Sequence, residues 1–215
     1  MVIKMTYIIE VCCTGNNGRS TMGKAIGNKD VSERGLEDII KFISSGTRAG
    51  PKWDNVWTYE KAASMIRRAA KSGLVKGLEI DKERYSQDED YRRAVQSHAK
   101  KALQIMRPIE TALRTAALYE IGLEFTGERT QTVSRDDVSL VLGVQQKHAE
   151  HVKEIYKDHP NPPQISSFNE YAGVSGEIPD GLGNLDVNVY KNIRDHLLET
   201  MPKVIDRFQK EHNID

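Results

Sequence analysis

The segment that most constrains this chain is Cys13-Thr14-Gly15-Asn16-Asn17-Gly18-Arg19-Ser20, which follows the apolar run Tyr7-Ile8-Ile9-Glu10-Val11-Cys12. The run predicts a buried strand, and the stretch from Ser20 to about Ile26 predicts a helix. A short loop between strand and helix turns successive backbone N–H groups inward around one phosphate or similar oxyanion, and the helix end adds positive field. The same field favours the thiolate form of a cysteine at Cys13, the form that acts as nucleophile. Arg19 offers a planar fork matched to two phosphate oxygens. The Ser20 hydroxyl is placed to donate to the sulfur, and Gly15 and Gly18 let backbone approach the anion without Cβ interference. Cys13 and Arg19 are therefore candidate catalytic residues, and Thr14, Gly15, Asn16, Asn17, Gly18 and Ser20 the candidate wall around the phosphate.

Two other readings compete. Cys12, at the strand end, is best read as a small buried hydrophobe. A nucleotide-binding P-loop also follows a strand, but it requires glycine where Cys13 stands and lysine where Arg19 stands.

Apolar runs fall at about residues 6–12, 39–44, 139–144 and 164–168, separated by helical patterns at 20–36, 146–157 and 187–210. This alternation predicts an α/β fold, a four-stranded parallel sheet with helices on both faces and a site at the carboxyl ends of its strands. The last helix repeats Val189, Ile193, Leu197, Val204 and Phe208 and should pack on the sheet. Further helical segments at 58–73 and 88–121 lie in a long interval between the second and third strands.

Beyond the loop, Ser44-Ser45-Gly46-Thr47, Leu140-Val141-Leu142-Gly143-Val144, Asn169-Glu170-Tyr171-Ala172-Gly173 and Glu177-Ile178-Pro179-Asp180-Gly181-Leu182-Gly183 occur in that order. With CTGNNGRS against the typical CLGNICRS, they resemble the low-molecular-weight protein tyrosine phosphatase family. The S-A-G-T segment, third core strand, E-Y-A-G block and I-P-D-P-x-G block are each matched. The resemblance implies that family's fold, with residues 1–215 as a single domain and a helical insertion at about 54–106. It implies a cysteine-dependent phosphomonoesterase working through phosphocysteine, with Asp180 as general acid and Asn16 orienting Ser20. It implies no cofactor, no metal, and a phosphorylated protein or small phosphate ester as partner.

By itself, Asp180 beside Gly181 also reads as a turn residue, and Asp186, just before Val187, as a helix N-cap. Several positions depart from the family. Gly181 replaces the proline after the acid, which predicts a looser acid loop. Leu182 stands where an aromatic often stacks on phosphotyrosine, and Gly50 where a tryptophan or tyrosine is expected, with Trp53 and Trp57 close by as substitutes. Asn17 replaces an apolar rim residue, and Gly18 replaces the loop's second cysteine. No cysteine follows Cys13, so the disulfide relay of arsenate reductases on this fold is missing. A phosphate-binding module without turnover, or arsenate reduction with an external thiol, are the alternative readings.

Gly77-Leu78-Glu79-Ile80-Asp81-Lys82-Glu83-Arg84 is echoed by Gly122-Leu123-Glu124-Phe125-Thr126-Gly127-Glu128-Arg129, either a duplicated unit or chance, with chance slightly favoured. The insertion reads equally as a cap at the active-site edge or a solvated decoration. His148 and His151, three apart, read as a solvated helix face rather than metal ligands. Arg48 either reaches an anionic substrate or forms a surface ion pair. The 31 basic and 31 acidic residues balance, which points to neither nucleic acid nor membrane. No apolar run approaches the roughly 20 residues of a membrane helix. Two adjacent cysteines and no leader-like start lead to a cytoplasmic expectation.

Overall fold

The computed structural model describes residues 6–50, 56–128 and 130–214. Tyr7–Cys13 (β1) lies between Ile40–Gly46 (β2) and Val138–Gly143 (β3), with Gln164–Ser167 (β4) outside β3. Every pairing is parallel. Period-two alternation sends Ile9, Val11 and Cys13 into the main core and Cys12, with the half-buried Ile8, into a second cluster on the opposite face.

On the main face lie Arg19–Glu33 (α1) and, late in the chain, Val187–His212. Between them in sequence come Tyr59–Lys71 (α2), Lys82–Gln87 (α3), Glu89–Tyr119 (α4), Gln146–Ile155 (α5) and Phe168–Tyr171 (α6), which makes Val187–His212 α7. On the second face, α5 closes the smaller cluster with Val152 against Val141, Cys12 and Tyr156. In α7, Ile193, Leu197, Val204 and Phe208 are buried with Met22, Ile26 and Phe42. Each side chain so buried contributes roughly 1.5–3 kcal/mol. Asp186 caps this helix by accepting from the Asn188 N–H at 2.9 Å, the role its position predicts.

The insertion is a helical layer with its own small cores. Thr58 caps α2 and Asp88 caps α4. Ala62, Ile66 and Ala69 of α2 meet Val95, Ala99, Ala102 and Met106 of α4. Near its end, α4 carries Ala117 and Leu118 into the main core. It therefore runs unbroken through residue 106, where the sequence suggests the insertion ends.

Trp57 belongs to the insertion's own cluster, with the Lys61 ammonium 4.6 Å from its ring centroid. It does not line the cavity at the loop and so does not replace the missing aromatic. Trp53 and Arg129 lie outside the described residues. The two echoed segments differ: Asp81 caps a helix, whereas 122–128 has no regular structure. None of the helices formed by the described residues is long and apolar enough to cross a membrane.

Candidate active site

The cysteine loop leaves β1 at the sheet's carboxyl edge and enters α1 at Arg19. Its shape is set from the neighbouring strand. Beyond β2 the chain donates from the Thr47 N–H to the Cys13 carbonyl and from the Arg48 N–H to the Thr14 carbonyl, both at 2.8 Å. Gly46 permits this approach, because a Cβ there would lie 2.7 Å from the Asn16 nitrogen and 2.8 Å from the Thr14 oxygen.

Asn16 is buried and left-handed at φ 47°, a conformation asparagine tolerates better than most residues. Its Nδ2 donates to the Ser44 carbonyl at 3.2 Å, while its Oδ1 accepts from the Ser20 hydroxyl at 3.0 Å. Ser20 Oγ is in turn 3.0 Å from Cys13 Sγ. Asn16 thus fixes the Ser20 hydroxyl beside the Cys13 sulfur. Thr14, Gly15, Asn17, Gly18 and Arg19 line the same cavity as Cys13.

Cys12 behaves as a buried hydrophobe. Burial pushes its thiol up to about 12, and Sγ lies 3.0 Å from Thr132 Oγ1 on the opposite face of the sheet. Both cysteines are free.

Arg19 is buried, donating from Nη1 to the Ile178 carbonyl at 3.1 Å. Its Nη2 lies 3.6 Å from Asp180 Oδ1. The Asp180 side chain is 41 % exposed, so water reaches it as well as any ester in the cavity. The same Oδ1 accepts from the Leu182 N–H at 3.1 Å.

Gly181 suggests a loose acid loop, but the contacts show a fastened one. Glu177 accepts from Gln145 Nε2 at 2.9 Å at its start. The Tyr190 hydroxyl donates to the Gly181 carbonyl at 2.7 Å. Arg68 Nη1 donates to the Leu182 carbonyl and Ser72 Oγ to the Gly183 carbonyl, each at 3.0 Å. The Gly183 N–H donates to Glu110. Arg68 and Ser72 extend from α2 and its C-cap, so the insertion holds the loop, and Glu110 reinforces it from the part of α4 beyond residue 106. Gly181 is glycine for lack of room: a Cβ would meet Tyr190 Cε1 at 2.8 Å and Ile193 Cδ1 at 3.0 Å.

The insertion also forms a wall of the cavity, a space of about 470 Å³ that Val56, Lys61, Met65, Leu103 and Arg107 line opposite the cysteine loop. A solvated decoration would not sit there. Arg114 packs on Gly18, with Nε 3.3 Å from where a Cβ would be, and pairs with the buried Glu110 at 2.9 Å. Arg48 lines the cavity too, and Leu182 replaces an aromatic with an aliphatic wall.

His148 differs from its expected solvated role. It is 2 % exposed, and its Nε2 lies 2.8 Å from Thr14 Oγ1 behind the loop. Burial, reinforced by the positive charge of Arg19, pushes its imidazole down to about 4, so it is neutral at physiological pH. Among the described residues no group of three or more His, Cys, Asp or Glu is arranged to hold a metal.

No family model and no curated protein matches the sequence. Solved structures do match the fold. A low-molecular-weight protein tyrosine phosphatase from Bacillus subtilis is 18 % identical, over 95 % of this chain and 99 % of that one, with a TM-score of 0.58. The arginine phosphatase YwlE, solved with a phosphorylated active-site serine, is 16 % identical over 97 % and 100 %, with a TM-score of 0.59. Wzb from Vibrio vulnificus, in complex with benzylphosphonate, is 16 % identical over 91 % and 94 %, with a TM-score of 0.51. The chain has the low-molecular-weight phosphatase fold, a four-stranded parallel sheet covered by helices on both faces.

Proposed function

We propose that this chain is a cysteine-dependent phosphomonoesterase of the low-molecular-weight tyrosine phosphatase type. The observation that carries the reading is the placement of Cys13 Sγ 3.0 Å from Ser20 Oγ in a loop whose mouth is spanned by Arg19 and Asp180, 3.6 Å apart. The solved phosphatases of the same fold support it.

In this reading the phosphate sits among the loop amides, with the Arg19 fork on two of its oxygens. The Cys13 thiolate attacks phosphorus, a P–S bond forms, and the P–O bond to the leaving group breaks. Asp180, protonated, gives its proton to the leaving oxygen. Water then attacks phosphocysteine, Asp180 takes a proton from it, and the P–S bond breaks to release phosphate and regenerate the thiolate. Ser20 Oγ, 3.0 Å from Cys13 Sγ, turns its one proton from Asn16 Oδ1 toward the departing sulfur. Donors already in place around the developing charge supply much of the acceleration. The substrate is a phosphorylated protein or a small phosphate ester, and the nucleophile works in a reducing cytoplasm.

Hydrolysis of 4-nitrophenyl phosphate with EDTA present tests this. The reading requires turnover that Cys13→Ala abolishes and Asp180→Asn lowers by about a hundredfold or more. Wild-type protein that binds vanadate but does not turn over substrate would contradict it.

A further inference from the structure

Among the described residues lining the cavity the one aromatic is Tyr190, whose hydroxyl is committed to the Gly181 and Asn184 carbonyls. What the cavity has in excess is positive charge. Besides Arg19, it is lined by Arg48, Lys61, Arg68, Arg107, Arg114 and Lys147, against Asp180 as the one described carboxylate on the wall. Glu110 offsets Arg114.

Arg68 is a firmly placed member of this set. Its described hydrogen-bond partner is a neutral carbonyl, that of Leu182, and among the described residues no carboxylate pairs with it. Its stem is fixed against Gly183, where a Cβ would come 2.7 Å from that of Arg68.

The contacts form an ordered line. Arg19 is 3.6 Å from Asp180, Asp180 accepts from the Leu182 N–H at 3.1 Å, and the Leu182 carbonyl accepts from Arg68 at 3.0 Å. A cation for the transferred phosphate, an acid for the ester oxygen, an aliphatic surface and a second cation follow one another along one wall. A cavity of about 470 Å³ has the size of a small-molecule site.

We infer that the substrate is a small phosphate monoester whose leaving group carries a second anionic group, a carboxylate or another phosphate, received by Arg68 across Leu182. The inference rests on the phosphatase reading of the loop and names the substrate class of that site. A guanidinium held half-buried beside an apolar surface suits such a group better than a hydrated lysine would.

Binding of non-hydrolysable phosphonates by calorimetry tests this separately from turnover. The probes are phenylphosphonate, its 3- and 4-carboxyl derivatives, and an acidic phosphotyrosine peptide. Wild-type protein should bind at least one carboxyphenylphosphonate about tenfold or more tightly than phenylphosphonate, the scale of a charge-assisted hydrogen bond. Arg68→Met should collapse that ratio toward unity and Arg68→Lys should restore part of it. Equal binding of the three phosphonates by the wild type would overturn the inference, as would a ratio insensitive to Arg68→Met. Tighter binding of the peptide than of every small phosphonate would assign the charge to a protein partner and overturn it too. Hydrolysis of phenyl phosphate by the wild type, followed in parallel, reports on the phosphatase reading alone, because Arg68 variants also loosen the loop that carries Asp180.

Discussion

Arg68 donates to the Leu182 carbonyl at 3.0 Å, which ties a helix outside the sheet to the loop that carries Asp180. The aim of the proposed acid therefore depends on the insertion. Ser72 and Glu110 reinforce the link at Gly183, and Tyr190 holds Gly181 from the main core. Two layers of the molecule meet on one short loop.

A proline after Asp180 should harm this protein. Gly181→Pro and Gly181→Ala both place atoms within 3 Å of the buried Tyr190 ring, which two hydrogen bonds fix. Overpacking of this kind costs about 1–3 kcal/mol. Each variant should unfold at lower urea concentration than wild type and lose about tenfold or more in kcat as Asp180 moves. Unchanged kcat in Gly181→Pro would show that the loop is not fastened in this way.

Glu110→Ala should be strongly destabilising. It leaves the guanidinium of Arg114 buried without its carboxylate and the Gly183 N–H without its acceptor. Removing one partner of a buried pair costs about 3–5 kcal/mol. Glu110→Gln, which can still accept from Gly183, should lose less. Urea denaturation of the two variants measures the difference.

His148 gives the protein an acid-side weakness. Its folded pKa of about 4 lies below the ordinary 6.5, so between those values the unfolded chain binds a proton that the folded one refuses. Stability from this residue is complete above about pH 6.5 and falls as pH drops toward 4, by up to about 3 kcal/mol. His148→Gln should flatten the slope of unfolding free energy between about pH 7 and about pH 5. An unchanged slope would place the acid sensitivity elsewhere.

The strands and the cysteine loop were legible because their signals are local: period-two alternation in β1, glycine at the close approaches, and a hydroxyl at the start of α1. Asp186 was legible for the same reason, as a cap before a periodic helix. The insertion's role was not, because it rests on tertiary contact. A partial signal existed all the same. Along α4 the buried stripe Val95, Ala99, Ala102, Met106 continues through Glu110 and Arg114 to Ala117. Two charges on a core-facing stripe announce a buried pair. His148 likewise shares its face with Ala149 and Val152, but the spacing to His151 drew attention to the wrong side of the helix. Gly181 misled because a missing proline reads as slack in sequence, whereas here Tyr190 occupies the space.

The central claim is that phosphate passes through Cys13. Rapid acid quenching of wild-type protein during hydrolysis of 4-nitrophenyl phosphate, followed by peptide mass spectrometry, tests it directly. The account predicts one phosphoryl group on the peptide that contains Cys13, assigned to its sulfur, and none in Cys13→Ala. Turnover without phosphorylated Cys13, or turnover that survives Cys13→Ala, would contradict it.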